Sequence, residues 1–213
     1  FKLVKDVASM IKYVGVTYQE DFDTLKRKQV VNRSSKPLFF SYFPPEFVFR
    51  NTEELNHMGQ NILIGNSSTP ENNHLEIFTQ LKSFNSETRK LITVLSYGDS
   101  LYGKKVLSEG IRRFPNEFTA ITDFLPLIEY NNILKTCSVA IMNHYRQQGI
   151  GNIYSLLLMG TKVFLNERNS MYHYLKRIGC FVYLLSEIND KNIEEKLLPL
   201  SVIEANHNKK IIN

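Results

Sequence analysis

Three stretches of this 213-residue chain combine residue types and spacing suited to binding chemistry, two of them for an anion and one for a flat base. In His144-Tyr145-Arg146-Gln147-Gln148-Gly149-Ile150-Gly151-Asn152, a polar, glycine-bearing turn leads into the nearly all-apolar segment 150–159. A helix that is apolar on every side must be buried, so its amino terminus opens inside the molecule with unpaired N–H groups. Arg146 adds a guanidinium just ahead of that terminus, and Gly149 and Gly151 remove side chains that would hold a ligand away. A diphosphate there would gain about 1.5–3 kcal/mol from a charge-assisted hydrogen bond. The helix end would add about 0.3–1 kcal/mol. The plainer alternative is a tight glycine turn beside a surface arginine.

The second stretch, Gly65-Asn66-Ser67-Ser68-Thr69, directly follows the apolar run Asn61-Ile62-Leu63-Ile64. Glycine permits a tight turn, and the small polar side chains leave backbone N–H groups open to an anion. Taken alone, Ser68 or Thr69 is more simply a cap for a helix beginning near Pro70 or Glu71. The third stretch is Asp123-Phe124-Leu125-Pro126-Leu127-Ile128-Glu129-Tyr130. Flat apolar side chains beside backbone polar groups suit a nucleobase, although composition alone favours a proline-started helix with core aromatics.

Other chemistries find less support. Asp21-Phe22-Asp23 has the spacing of a metal-holding motif, but it opens the charged segment 20–28, where acids favour a helix start. The five histidines show no ligand spacing, so no metal site is expected. Cys137 and Cys180 are far apart in apolar surroundings, which reads as two buried, reduced thiols of a reducing cytoplasm. Neither a Gly-x-Ser-x-Gly elbow nor a Walker-type turn occurs.

The elements that must position these turns follow from periodicity. From residue 61 onward, strands at 61–65, 91–95, 118–121, 139–142, 162–165 and 181–185 alternate with amphipathic helices at 71–84, 102–114, after Pro126, at 150–159 and at 170–178. The helix after Pro126 is expected to turn Leu127, Tyr130, Ile133, Leu134 and Cys137 one way. Six strands without polar alternation, separated by five helices, predict a doubly wound α/β domain with a parallel sheet. Ligands of such sheets bind outside the carboxyl ends of the strands. The first 60 residues differ: a strand at 10–16, a helix at 19–28 and an extended run at 37–43 precede Pro44-Pro45 and a polar connector at 51–60. A domain boundary is expected near residues 50–60, and a frayed or partly docked tail after Leu198.

Composition fits a globular protein. Lys and Arg number 26 against 21 Asp and Glu, a formal charge of +5 that allows an anionic partner without choosing one. Basic residues are not interleaved with aromatics on one face, so no nucleic acid is expected. No apolar run approaches the roughly 20 residues that span a bilayer, and no secretory signal is visible. The chain opens on Phe1 rather than Met and is expected to be a piece of a longer protein.

Read together, Ile62-Leu63-Ile64-Gly65-Asn66-Ser67, Asn72, His74, Arg146-Gln147-Gln148-Gly149-Ile150-Gly151 and Leu165-Asn166 resemble the bacterial 4-alpha-L-fucosyltransferases. These are also described as TDP-N-acetylfucosamine:lipid II N-acetylfucosaminyltransferases, glycosyltransferase family 56. The likeness runs from about Val14 to Tyr183 and includes Tyr42-Phe43-Pro44; Asn166-Glu167-Arg168-Asn169 follows the pattern only in part. The resemblance implies a GT-B architecture, with residues 57–213 as the Rossmann-like nucleotide-sugar domain and 1–50 as a remnant of the acceptor-side domain with its connector. It implies transfer of a 4-acetamido-4,6-dideoxygalactosyl group from dTDP to a polyprenyl-diphosphate-linked saccharide during enterobacterial common antigen assembly. The enzyme would work peripherally at the cytoplasmic face of the inner membrane, without a metal or other cofactor. Physical reading and resemblance meet at Arg146 with Gln147, Gln148, Gly149, Gly151 and Asn152 for the diphosphate, and at Gly65, Asn66 and Ser67 for phosphate or sugar. Loop position alone adds Tyr97, Phe124, Leu125 and Glu129 for base and ribose. A different sugar-nucleotide enzyme such as an epimerase, or a non-catalytic binding domain, remains the alternative on sequence grounds.

Overall fold

The computed structural model describes residues 6–8, 10–40 and 59–212. The expectations for Tyr42-Phe43-Pro44, for Pro44-Pro45 and for most of the connector fall outside the described residues.

Six parallel strands form one sheet in the order β5-β4-β3-β6-β7-β8. They are β3 (Asn61–Ile64), β4 (Leu91–Val94), β5 (Phe118–Ile121), β6 (Cys137–Met142), β7 (Lys162–Leu165) and β8 (Tyr183–Leu184). Every residue of β4, β6 and β7 is buried, as strands covered on both faces require. One face is covered by α2 (His74–Gln80), α3 (Ser100–Arg113) and α7 (Ile193–Lys196), through Ile77, Phe78, Val106 and Ile193. The other is covered by α4 (Leu127–Lys135), α5 (Ile150–Leu158) and α6 (Ser170–Arg177), through Leu134, Ile153, Leu156, Leu157, Met171 and Leu175. The chain runs outward from β3 to β4 and β5, then returns to lay β6 on the other side of β3. Strand order therefore reverses between β3 and β6, and a crevice opens there at the carboxyl ends.

A second, two-stranded parallel sheet pairs β1 (Tyr13–Val16) with β2 (Lys36–Phe39), joined by α1 (Gln19–Arg27). This unit docks on α5 and α6. Tyr18 stacks on Tyr174 at 4.3 Å between centroids and shares a 3.1 Å hydroxyl contact with Tyr154. Glu20 pairs with Arg177 at 2.6 Å.

Several element limits differ from those the periodicity predicts. The helix expected at 71–84 is a 3-10 turn at Pro70–Asn72, a left-handed Asn73 at φ 51° and then α2, because Asn72 turns fully inward to bond the preceding loop. Cys137 does not continue the face of α4. It opens β6, where it pairs in register with Asn61. Both thiols are unpaired, and burial pushes Cys137 up to about 12 and Cys180 up to about 11. The strand expected at 181–185 contracts to two residues. Its Phe181 N–H donates to Asn208 Oδ1 at 2.7 Å and its C=O accepts from Asn208 Nδ2 at 3.0 Å, so a side chain takes the place of a neighbouring strand. Asn208 belongs to α8 (Val202–Ile212), so of the frayed or partly docked tail that was expected the structure shows the docked form, a helix whose Ile211 and Ile212 pack on the core beside α5.

Candidate functional site

The turn after β3 is shaped from below by Asn72. Its Oδ1 accepts from Asn66 N–H at 2.8 Å and contacts His144 Nε2 at 2.9 Å. Its Nδ2 donates to Ser67 Oγ at 3.0 Å and Thr69 Oγ1 at 2.8 Å. Since Oδ1 can only accept, His144 carries its proton on Nε2. Burial depresses His144 to about 4, with Arg146 adding to the effect, and depresses His74 to about 3, with His144 adding. Both rings are therefore neutral near pH 7. Gly65 sits at φ 64°, and a Cβ there would lie 2.5 Å from His74 Nε2 and 2.7 Å from Asn72 Oδ1. The turn admits only glycine at this point.

Capping does not account for Ser68 and Thr69. Ser68 donates through both N–H (2.8 Å) and Oγ (2.7 Å) to Tyr97 C=O, tying the loop after β3 to the loop after β4. Thr69 precedes the 3-10 turn without a side-chain cap, and its Oγ1 accepts from Gln148 Nε2 at 3.0 Å. Asn66 Nδ2 donates to Tyr97 Oη at 3.1 Å.

Across the crevice, α5 begins at Gly149, which has φ 66° and no side-chain cap. The first intrahelical bond runs from Ile153 N–H to Gly149 C=O at 3.0 Å, so the amides of Ile150, Gly151 and Asn152 come before it. The Cβ position of Gly149 lies 3.4 Å from the Asn66 amide, so the helix start and the glycine turn abut.

Between them lies a cavity of about 650 Å³ lined by Asn66, Ser67, Thr69 and Tyr97 from one side, Gln148, Gly149, Ile150, Gly151, Asn152 and Ser155 from α5 and its loop, and Leu127, Tyr130 and Asn131 from α4. A second cavity of about 620 Å³ adjoins it, sharing Tyr97, Leu127, Tyr130 and Asn152 and adding Val94, Ser96, Ile121, Phe124 and Leu125. Tyr130 donates to Asn152 Oδ1 at 3.1 Å, and burial raises its hydroxyl above the ordinary tyrosine value. Among the described residues no charged side chain lines either space. One end of the trough thus offers backbone amides and a helix dipole, and the other offers aromatic and aliphatic walls. The acceptors Asn66 Oδ1 and Gln148 Oε1 are buried with no partner among the described residues. That combination fits an anion joined to a flat ring bearing hydroxyls.

Of the residues singled out in the sequence, Asn66, Ser67, Tyr97, Gln148, Gly149, Gly151 and Asn152 line the first cavity, with Gly65 shaping its floor. Phe124 and Leu125 line the second. Three do not join them. Glu129 is exposed on α4, and Gln147 faces a separate cavity against β1. Arg146 is exposed, its Nη1 reaching only Gln147 C=O at 3.4 Å; it has no ion pair among the described residues. Thr69, Leu127 and Tyr130 line the first cavity too and lie within the stretches put forward from the sequence, whereas Asn131 and Ser155 are lining residues that sequence reasoning missed. Their signal was polar atoms recurring on apolar helix faces: Asn131 four after Leu127, Ser155 three after Asn152.

The model of 4-alpha-L-fucosyltransferases, glycosyl transferase group 56, matches residues 10–209. The chain belongs to that family. Among solved structures, this group 56 chain is similar to sucrose-phosphate synthase from Thermosynechococcus elongatus, with TM-score 0.71, 10% identity, and 98% of this chain and 55% of that one covered. It is also similar to HepE of Anabaena in complex with UDP and glucose, with TM-score 0.67, 14% identity, and 99% and 61% covered. The N-terminal domain of Candida albicans trehalose-6-phosphate phosphatase aligns with TM-score 0.66 at 16% identity over 94% of this chain and 53% of its own. These likenesses give the fold, which is that of GT-B glycosyltransferases. The group 56 chain spans little more than half the length of the structures it matches.

Proposed function

We propose that this chain is the nucleotide-sugar-binding part of a glycosyltransferase that moves a deoxyamino sugar from a dTDP donor to a polyprenyl-diphosphate-linked saccharide. The observation that carries the reading is the trough at the β3/β6 crossover, with the uncapped start of α5 at one end and the Tyr97, Leu127, Tyr130 and Phe124 walls at the other. The diphosphate lies on the amides of Ile150, Gly151 and Asn152 and against the Gly65–Thr69 turn. The base enters between Tyr97 and Phe124. As the bond from the anomeric carbon to the diphosphate breaks, negative charge grows on the departing oxygens, and amides already fixed in position stabilise it. Arg146 is our candidate for the cation that closes over those oxygens from the loop ahead of α5.

The resemblance described above points to 4-acetamido-4,6-dideoxygalactose as the sugar and to an enterobacterial common antigen-like polysaccharide as the setting; family membership itself supports a 4-alpha-L-fucosyltransferase. On this reading the protein acts peripherally at the cytoplasmic face of the inner membrane; among the described residues no helix is long and apolar enough to cross one. Residues 57–213 are the donor domain and 1–50 belong to the acceptor side with its connector. Calorimetric titration with TDP tests the proposal: saturable binding unaffected by a chelator is expected. No saturable binding at millimolar nucleotide would count against it and favour a scaffold role.

A further inference from the structure

The six-stranded sheet ends differently at its two margins. Beside β8 the backbone groups of Phe181 are taken by the Asn208 amide, and α8 lies over the strand, its Glu204 accepting from Tyr183 Oη at 3.1 Å. At the opposite margin β5 has β4 on one side and no strand on the other among the described residues. Its sequence Phe118-Thr119-Ala120-Ile121 carries no charge, proline or bulge, the devices that keep an open edge from pairing.

Alternation decides what this edge offers. Leu91 N–H donates to Glu117 C=O and Leu95 N–H to Ile121 C=O, so residues 117, 119 and 121 turn towards β4. Residues 118, 120 and 122 therefore turn outward. Phe118 N–H is consumed by Phe114 C=O at 3.0 Å. The Ala120 N–H and C=O, the Phe118 C=O and the Thr122 N–H have no partner among the described residues. A second copy turned about a two-fold axis at Ala120 satisfies all of them. The two Ala120 residues exchange N–H···O bonds, and each Thr122 N–H meets the Phe118 C=O of the other copy.

The flank of the edge is apolar where that copy would lie. Gly110 of α3 sits on the Phe118 ring, and Arg113 reaches Thr79 on α2 at 3.2 Å, which fixes the side of α3 that faces α2. At about 100° per residue, Arg113 lies about 60° to that side of Gly110, while Leu107 and Ile111 lie about 60° and about 100° to the other. Those two therefore overhang the open edge, Leu107 half-buried and Ile111 55% exposed. Leu107 stands about 4.5 Å up the helix from Gly110. Ala120 stands about 6.6 Å up the antiparallel strand from Phe118, so the two lie at nearly one height.

Charge agrees with the same register. With Ala120 opposite itself, the exposed Asp123 falls opposite Glu117 and beside Asn116 of the second copy. Glu117 is buried, with its Oε1 towards Ser86 N–H, whereas the exposed Lys90 reaches Asn116 C=O at 2.6 Å. Each Asp123 thus meets an ammonium, twice over by symmetry.

We infer that this margin joins two copies of the chain, β5 pairing antiparallel with β5, Leu107 and Ile111 of the two α3 helices closing over the joint, and Asp123 of each copy facing Lys90 of the other. The inference is independent of the transferase reading. Antiparallel pairing points the two crevices in opposite directions, so both stay open.

Sedimentation of the chain over a dilution series tests it, with amide hydrogen exchange at both ends of the series. The weight-average mass is expected to rise towards twice that of one chain, and the Ala120 and Thr122 amides to exchange more slowly in the concentrated sample. Ala120→Pro, tolerable at an edge, and separately Ile111→Lys should weaken association at least about tenfold. Both should melt with the wild type when dilute; should Ala120→Pro fail to fold, Ile111→Lys carries the test alone. Asp123→Lys and Lys90→Glu should each weaken association, and the double variant should regain it. A chain that stays monomeric throughout would overturn the inference, leaving the edge for another partner or for none. So would a dimer that Ile111→Lys leaves unchanged, or one whose Ala120 and Thr122 amides exchange as in the monomer.

Discussion

Asn72→Ala is the substitution whose consequence can be worked most fully. The Asn72 side chain is wholly buried and its amide serves four separate groups of the glycine turn and His144. Alanine leaves Asn66 N–H and His144 Nε2–H buried without an acceptor. Each such orphan costs about 1–3 kcal/mol, or about 2–6 kcal/mol together. For a chain of this size that is a fall of roughly 5–20 °C in the unfolding midpoint. The turn it holds forms one wall of the trough, so TDP affinity should fall with stability. Asn72→Asp sharpens the test, because it keeps an acceptor for Asn66 and His144 while placing an oxygen 3.2 Å from Thr69 C=O. It should lose less stability than alanine and should raise His144 from about 4. Thermal melts with TDP calorimetry read both quantities. An alanine variant melting within about 2 °C of wild type with undiminished TDP affinity would refute the claim that Asn72 holds the site.

Three further outcomes follow from the same geometry. His74 and His144 are held neutral with pKa values of about 3 and 4, below the ordinary 6.5, so the unfolded chain binds more protons than the native one in between; stability should fall as pH drops from about 6.5 towards 4, and His144→Gln should flatten that slope in denaturant titrations. Arg146→Ala should weaken TDP binding by about 1.5–3 kcal/mol with the melting point unchanged, since among the described residues its guanidinium bonds only Gln147 C=O; unaltered affinity would remove Arg146 from the diphosphate site. Gly110→Ala brings a Cβ within 2.3 Å of the Phe118 ring on the face of the sheet away from α5. It should cost about 1–3 kcal/mol of stability while leaving TDP affinity alone.

What the sequence made legible is what period and composition encode. Unbroken apolar runs announced the buried parallel strands, and composition marked the turns Gly65-Asn66-Ser67 and Gly149-Ile150-Gly151; that β3 and β6 lie side by side, with the crossover between those turns, came only from the strand order. Both glycines at the turns, Gly65 and Gly149, proved to have positive φ. What stayed hidden depends on side chains meeting across the fold. Asn72 looks like one more helical residue until its amide is seen reaching back into the loop. Tyr130 belongs by spacing to a core face, yet its hydroxyl points to Asn152 and its ring walls the trough. Arg146 was singled out for its charge, but sequence does not say which way a loop side chain points, and here it stands exposed. Asn208 gave no sign that its amide would complete the backbone bonding of Phe181.

The central claim is that a nucleotide diphosphate rests on the start of α5 against the Gly65–Thr69 turn. Amide-resolved NMR of the chain titrated with TDP tests it most directly. Saturable shifts of the Gly149, Gly151, Asn152, Asn66 and Ser67 amides, sharing one dissociation constant, are the predicted result. Saturable binding that leaves those amides still and moves resonances elsewhere would contradict it.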